Sequence, residues 1–284
     1  MHLSRMKAIF SKNKMCVRFT ALDALGFVRH GFSTRLGGVS QGIFSSMNLS
    51  IGRGDDEEFV AENFRRFCAE IEVREQDLVF SSQTHDTHIR VVDESDKGKG
   101  LRRKRDYDSV DGLLTNIPGV PLLTSYADCV PLFFVDPVKK AVGTAHAGWR
   151  GTVDKIGAKM IQRFCTVYGS DAEDIVACIG PSIGKCCFET GEEVYDRVRN
   201  MGMDFSAWVT EMNAQQRSPQ PGNKKYMIDL WQINKDILLE SGVKDENITV
   251  AEMCTKCHSD IFFSHRATNG KRGAMAAVIG IHQG

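Results

Sequence analysis

The chain has 284 residues, 42% of them apolar and 25% charged, a composition ordinary for a soluble globular protein. Its 36 basic and 36 acidic residues cancel, which removes a general electrostatic basis for binding nucleic acid or an anionic membrane. No apolar run is long enough to span a bilayer and none follows the basic residues of Met1–Lys14, so a cytoplasmic location is expected, with the odd set of nine cysteines reduced.

In chain order, β-rich runs predict strands near 16–20 and 27–33. A helix is predicted over 55–71, with acidic residues at its start and Val60, Phe64, Phe67, Cys68 and Ile71 on one face. Strands near 78–83 and 88–92 precede a polar stretch, 93–108, whose basic run "KGKGLRRKRD" reads as a solvated loop. Strands near 111–115, 120–125, 130–135 and 141–146 follow. A second helix is predicted over 152–169, burying Val153, Ile156, Met160, Ile161, Phe164 and Cys165 and stopping at Gly169. A strand near 175–180 leads to a helix in "TGEEVYDRV" with Thr190 and Glu193 as a capping box. Beyond a polar loop at 211–225, "DLWQINKDILLESG" forms a helix burying Leu230, Ile233, Ile237 and Leu238 and ending near Gly242. Strands near 247–251 and 275–281 complete the chain. Paired strands interrupted by single helices point to mixed sheets in a single-domain α+β fold, not to a doubly wound parallel sheet.

The segment from Ala127 to Trp149, "ADCVPLFFVDPVKKAVGTAHAGW", reads as a hairpin with a cysteine and a histidine at its open end. A turn over 136–139 sets Val135 opposite Lys140 and Cys129 opposite His146, on one face. A one-residue slip would break that pairing. Upstream, "SSQTHDTHIR" offers His85. Three readings of these residues stay open. They form a His2Cys metal site whose fourth position is free. Alternatively, Cys129 is a nucleophile with His146 as base and Asp128 nearby. Otherwise they are ordinary residues at the edge of a core. Following His146, "AGWRGT" resembles an anion-binding turn at a helix N-terminus, with Arg150 adding positive charge. "CTKCH", Cys254 to His258, matches the haem-attachment pattern, but that chemistry does not belong to a reducing compartment. A structural zinc there needs two further ligands, and none is evident from spacing. Adjacent Cys186 and Cys187 read as small buried residues.

Several segments carry a family likeness: "HGFSTRLGGVSQGIFSSMNLS", "QTH", "DGLLTNIPGVPLLTSYADCVPLFFVDP", "AHAGWRGTV", "CIGPSIGKCCFE" and "CTKCHSDIFFSHR". From about Gly26 onward the chain resembles the multicopper polyphenol oxidoreductase, or laccase-domain, family, also known as the YfiH-type purine nucleoside phosphorylases. The resemblance implies two mixed sheets packed between helices in an α/β/β/α sandwich, with residues 1–25 peripheral. It implies zinc, with copper as the other metal, held by His85, Cys129 and His146. The implied chemistry is phosphorolysis of adenosine, inosine and methylthioadenosine, with adenosine deamination as a second activity. Purine nucleosides and phosphate are then the expected partners. Phosphate is expected at Arg35, Arg150 or the turn before Thr152; Ser33, Asn48 and Gln83 are expected to contact the nucleoside, and Asp128 to serve as acid or base. The family's arginine-rich C-terminal pattern departs here, with Ala267 and Ala274 where arginines often stand. A different reading is an amide hydrolase editing peptidoglycan precursors through Cys129 or its metal. A copper oxidase is disfavoured, because eight histidines with no His-x-His pair cannot ligate several coppers in the usual way.

Overall fold

Strands Val130–Asp136 and Ala141–Ala147 are buried at every position, front and back. A strand covered on both faces reads as a continuous apolar run, which is how "VPLFFV" reads. A computed structural model, describing residues 8–212 and 224–282, shows what covers them. They are the centre of a six-stranded sheet ordered Ile248–Val250, Val176–Ile179, Val130–Asp136, Ala141–Ala147, Gly112–Thr115, Ile89–Val91. Its central pairs are antiparallel and both edge pairs parallel. A second six-stranded sheet runs Ala8–Phe10, Cys16–Phe19, Val28–Ser33, Met275–Ile281, Leu122–Tyr126, Val79–Phe80.

Between the sheets, Phe32, Leu122, Met275, Ala277 and Ile279 meet Leu113, Phe133, Val135, Val142 and Cys178 in one apolar core. The outer face of the sheet containing the hairpin packs Leu132, Phe134 and Ala145 on helices Ile156–Tyr168 and Leu230–Glu240. The outer face of the other sheet packs Leu123, Ala276 and Val278 on helix Glu57–Glu70. A helix of that length is marginal alone. Burial of Val60, Phe64, Phe67 and Cys68 holds it down, the two phenylalanines contributing roughly 1.5–3 kcal/mol each. The layering is helix, sheet, sheet, helix, as expected.

Several expectations are corrected. Residues 8–25 belong to the body: two of their strands join the sheet, and Cys16, Val17, Phe19 and Leu22 are fully buried. The helix expected from Thr152 is two helices, Trp149–Val153 and Ile156–Tyr168, broken where Lys155 takes a φ of 58°. Thr190 is not a helix cap. It lies in strand Glu189–Thr190, and Gly191 precedes helix Glu192–Arg199 without a side-chain cap. A small third sheet of Glu189–Thr190, Tyr226–Ile228 and Val209–Glu211 was not anticipated. The polar loop expected at 211–225 falls mostly outside the described residues. Among the described residues no helix is long and apolar enough to cross a membrane.

The hairpin register also differs. Asp136 faces Ala141 and Pro131 faces His146. Asp136 Oδ1 accepts from the backbone N–H of Val138 and of Lys139, both at 2.8 Å, and this moves the turn one residue downstream. Cys129 therefore precedes the strand instead of facing His146, but the shift between partners is two residues, so the faces are kept.

Candidate metal centre and its cavity

His146 lies on the second hairpin strand, almost fully buried. Its Nδ1 is 2.7 Å from Asp111 Oδ1, so the ring donates there and Nε2 is the nitrogen left to ligate a metal in exchange for its proton. The same carboxylate accepts from the backbone N–H groups of Thr84 (2.8 Å), His85 (3.1 Å) and Asp86 (3.1 Å). One buried anion thus fixes both the His146 ring and the turn carrying His85, whose φ is 65°. The His85 and His146 rings stand edge to face with centroids 4.8 Å apart. Cys129 completes the group, with Sγ 3.9 Å from His85 Nε2. The three donor atoms lie within 4.8 Å of one another.

The electrostatics follow from these contacts. Burial pushes the Cys129 thiol up, but His146, by charge and hydrogen bond, and then His85 pull it down to about 6. Burial pushes His146 down, and Cys129 and Asp111 raise it to about 9. For Asp111, burial is outweighed by the hydrogen bond from His146 and those from the Thr84 and Asp86 amides, and its pKa falls.

The donor set suits zinc: two imidazoles and a thiolate, with a carboxylate holding the second nitrogen of one ring. A tetrahedral ion with bonds of about 2.0–2.3 Å needs donors roughly 3.3–3.8 Å apart; the Cys129–His85 pair at 3.9 Å lies just outside that spacing, and a small inward movement of the trio would close on an ion. The backbone leaves room for it. A Cβ on Gly148 would come within 2.7 Å of His85 Cδ2 and 3.3 Å of Cys129 Sγ. The three residues also line a cavity of about 730 Å³, within the range of small-molecule sites.

The chain's relatives can be read against this geometry. The family described as "Multi-copper polyphenol oxidoreductase laccase" matches residues 29–282. The chain belongs to that family. It is 39% identical over 254 residues to the purine nucleoside phosphorylase YlmD of Bacillus subtilis, covering 89% of this chain and 88% of the relative. It is 33% identical over 252 residues to a protein named adenosine deaminase RL5, from an unknown prokaryotic organism, covering 86% and 93%. The crystal structure of the Bacillus licheniformis protein YfiH superposes with a TM-score of 0.87 at 33% identity, covering 96% of this chain and 98% of that one. Despite the family's copper name, the candidate ligand groups among the described residues are one His2Cys set and one set of four cysteines. Neither is the histidine-rich array that several coppers require.

The other expected site residues are spread more widely. Asp128 lines the cavity at a φ of 84°, with its carboxylate accepting from Thr255 Oγ1 at 2.6 Å and from the Arg266 N–H at 2.7 Å. Gln83 lines it too, but its amide is paired with both backbone groups of Ser125. Arg35, Arg150, Ser33 and Asn48 are not among the lining residues. Arg35 donates to the Ser45 and Ser259 carbonyls and stacks on Phe263. Arg150 is half exposed, stacked on Trp149 and 3.6 Å from Glu193. Ser33 Oγ accepts from the Ala276 N–H, anchoring a strand. Asn48 Oδ1 accepts from the Ser50 and Ala274 amides and so ties together two segments that flank the cavity.

Those two segments carry what the sequence reading passed over. Arg53 and Arg272 line the cavity, as do Arg105 and Arg266. Burial, then the charge of Arg53, lower the pKa of Arg272, while Asp128 and Cys129 raise it. Its Nε is buried without a hydrogen-bond partner among the described residues. Two guanidinium groups on one cavity, one with an unmet donor, are a candidate anion site. Ala267 and Ala274 do not empty the cavity of arginine, because the adjacent segment supplies Arg266 and Arg272.

Proposed function

We propose that the protein is a zinc-dependent purine nucleoside phosphorylase acting on adenosine, inosine and methylthioadenosine, with adenosine deamination as a second activity. One observation carries this reading: a single cavity joins the His85–Cys129–His146 donors to the Arg53–Arg272 pair. Relatives named purine nucleoside phosphorylase and adenosine deaminase support it. Zinc held by His85, Cys129 and His146 would supply a Lewis acid facing the cavity.

The chain's own residues do the rest. Arg53 and Arg272 hold phosphate, and the buried Nε of Arg272 finds its acceptor there. Phe80, Tyr126, Trp149 and Phe188 give the cavity aromatic surface against which a purine packs. Asp111 keeps the proton on His146 Nδ1 and the ring in one orientation. In phosphorolysis a phosphate oxygen bonds to the sugar anomeric carbon and the bond to the base breaks. The electron pair leaves on the base nitrogen, which takes up the proton that phosphate loses on bonding to the sugar, giving free base and ribose 1-phosphate, or its 5-methylthio analogue from methylthioadenosine. Asp128, held by Thr255 and Arg266, keeps the loop before Cys129 in place.

Chromatography of products from adenosine, with and without phosphate, tests the reading. Adenine and ribose 1-phosphate are expected only with phosphate, and not from Cys129→Ala. Inosine formed without phosphate supports the deaminase activity. Absence of product in either condition overturns the nucleoside reading and returns attention to amide substrates. Arg272→Ala should raise the KM for phosphate roughly tenfold or more, about 1.4 kcal/mol, with zinc content unchanged. Arg150→Ala should leave that KM unaltered. The reverse pattern would move the anion site to the turn after His146.

A further inference from the structure

Away from the cavity's donor trio, four thiols converge. Cys186 and Cys187 lie beyond strand Val176–Ile179, and Cys254 and Cys257 beyond strand Ile248–Val250. These strands are parallel neighbours, with Ile179 opposite Val250, and a bridge from Ser182 to Cys254 continues the pairing. Both chains therefore leave the sheet on the same side. The four sulfurs lie within 4.8 Å of one another. Cys257 Sγ is 3.6 Å from Cys186 Sγ and 3.5 Å from Cys187 Sγ, and all four thiols are free.

Those distances discriminate between chemistries. A disulfide needs about 2.05 Å between sulfurs. Four sulfurs around one zinc ion, each bonded at about 2.3 Å, stand about 3.8 Å apart. The two contacts of Cys257 have the second spacing, and no pair of the four is more than 4.8 Å apart. Cys254 and Cys257 also have the C-x-x-C interval of structural zinc sites. The backbone N–H of Gly184 donates to Cys254 Sγ at 3.3 Å, a contact suited to a ligated thiolate. Gly184 has little room for anything larger: a Cβ would be 2.9 Å from the Trp231 ring and 3.4 Å from Cys186 Sγ.

We propose that Cys186, Cys187, Cys254 and Cys257 bind one zinc ion as a closed four-thiolate site, sharing no ligand with His85, Cys129 and His146. Four protein donors leave no open position, so the site is structural. Its position explains what it would hold. Arg266 Nη1 donates to the carbonyls of Cys187 (3.2 Å) and Glu189 (3.0 Å), while Thr255 and the Arg266 amide grip Asp128. Ile183 and Phe188, on the first thiol loop, line the cavity. The ion would staple the first loop, which lines the cavity, to the second, whose Thr255 holds Asp128.

Zinc content of the purified full chain, measured by mass spectrometry, reads this out independently of turnover. Wild type should carry two equivalents, and Cys129→Ala and Cys257→Ser one each. X-ray absorption at the zinc edge of Cys129→Ala should show four sulfurs at about 2.3 Å and no nitrogen. That measurement does not depend on the folding of any variant in the thiol cluster. Residual zinc with nitrogen or oxygen ligands in Cys129→Ala would overturn the proposal. So would loss of all zinc from that variant, or a thiol titration of it that finds these cysteines paired as disulfides.

Discussion

Asp111 has no exposed surface, and its carboxylate accepts from three backbone amides and the His146 ring. Every acceptor site it has is directed at one of the two histidines or at the turn that carries His85. Asp111→Asn replaces one oxygen by a donor, which then confronts an N–H. Either the 84–86 turn or the His146 ring must shift. Zinc affinity should fall 10–100-fold, as is usual when the partner of a ligating histidine is lost. Competition with a chromophoric chelator measures it, and unchanged affinity would mean that the ring is oriented by packing alone. Residue chemistry explains what could be read beforehand. A cysteine and two histidines are uncommon and stand out as candidate ligands by type, while the choice among ligand, nucleophile and core residue stays open until the family likeness is added. Asp111 and Arg272 are common residue types whose roles come from tertiary neighbours. Asn48 and Ser33 lie in segments of family likeness, but both are engaged within the fold, Ser33 by the Ala276 amide and Asn48 by the Ala274 amide, Ser50 and the Asp55 carboxylate.

The hairpin shows the same division at the scale of the element. Its two strands were legible because continuous apolar runs admit few alternatives. Its register was not, because the turn is decided by Asp136 accepting from two amides at once. A two-residue error keeps every side chain on its face, so Cys129 and His146 still meet. Strands of two or three residues, such as Glu189–Thr190 and Val209–Glu211, are too short to show alternation. Gly148 belongs to this scale too. It sits at φ −62° and ψ 171°, a conformation open to any residue. The glycine is needed for the space that the two ligands occupy. Gly148→Ala should therefore change the melting temperature of metal-free protein little, since the His85 ring can swing aside. It should lower zinc affinity at least tenfold by displacing that ring. Intact zinc binding in Gly148→Ala would show that the turn has slack.

At the scale of the molecule, the two sheets are pressed together over an apolar core, and the imidazole of His30 is buried against it. His30 is fully buried, edge-on to Phe133 of the facing sheet with centroids 6.3 Å apart and beside Phe19 at 6.2 Å. Its Nε2 accepts from the Phe19 N–H at 2.8 Å, so the ring is neutral with its proton on Nδ1. That nitrogen has no hydrogen-bond partner among the described residues and lies 3.7 Å from Asp23 Oδ1. Burial lowers the His30 pKa from 6.5 to about 4, the pull of Asp23 being too weak to offset it. Above about pH 6.5 the ring is neutral folded or unfolded and stability is unaffected. Between about 6.5 and 4 the unfolded chain takes up a proton that the folded chain refuses, so stability falls as pH falls. The fall amounts to about 3 kcal/mol and levels off once the folded ring also titrates. Urea unfolding at about pH 7 and about pH 4, for wild type and His30→Gln, isolates the effect. Gln retains an acceptor for the Phe19 amide but does not titrate, so its acid loss should be smaller than wild type's by that amount. Equal losses would mean that the interface between the sheets admits the charged ring, and acid lability would have to be sought among the surface carboxylates.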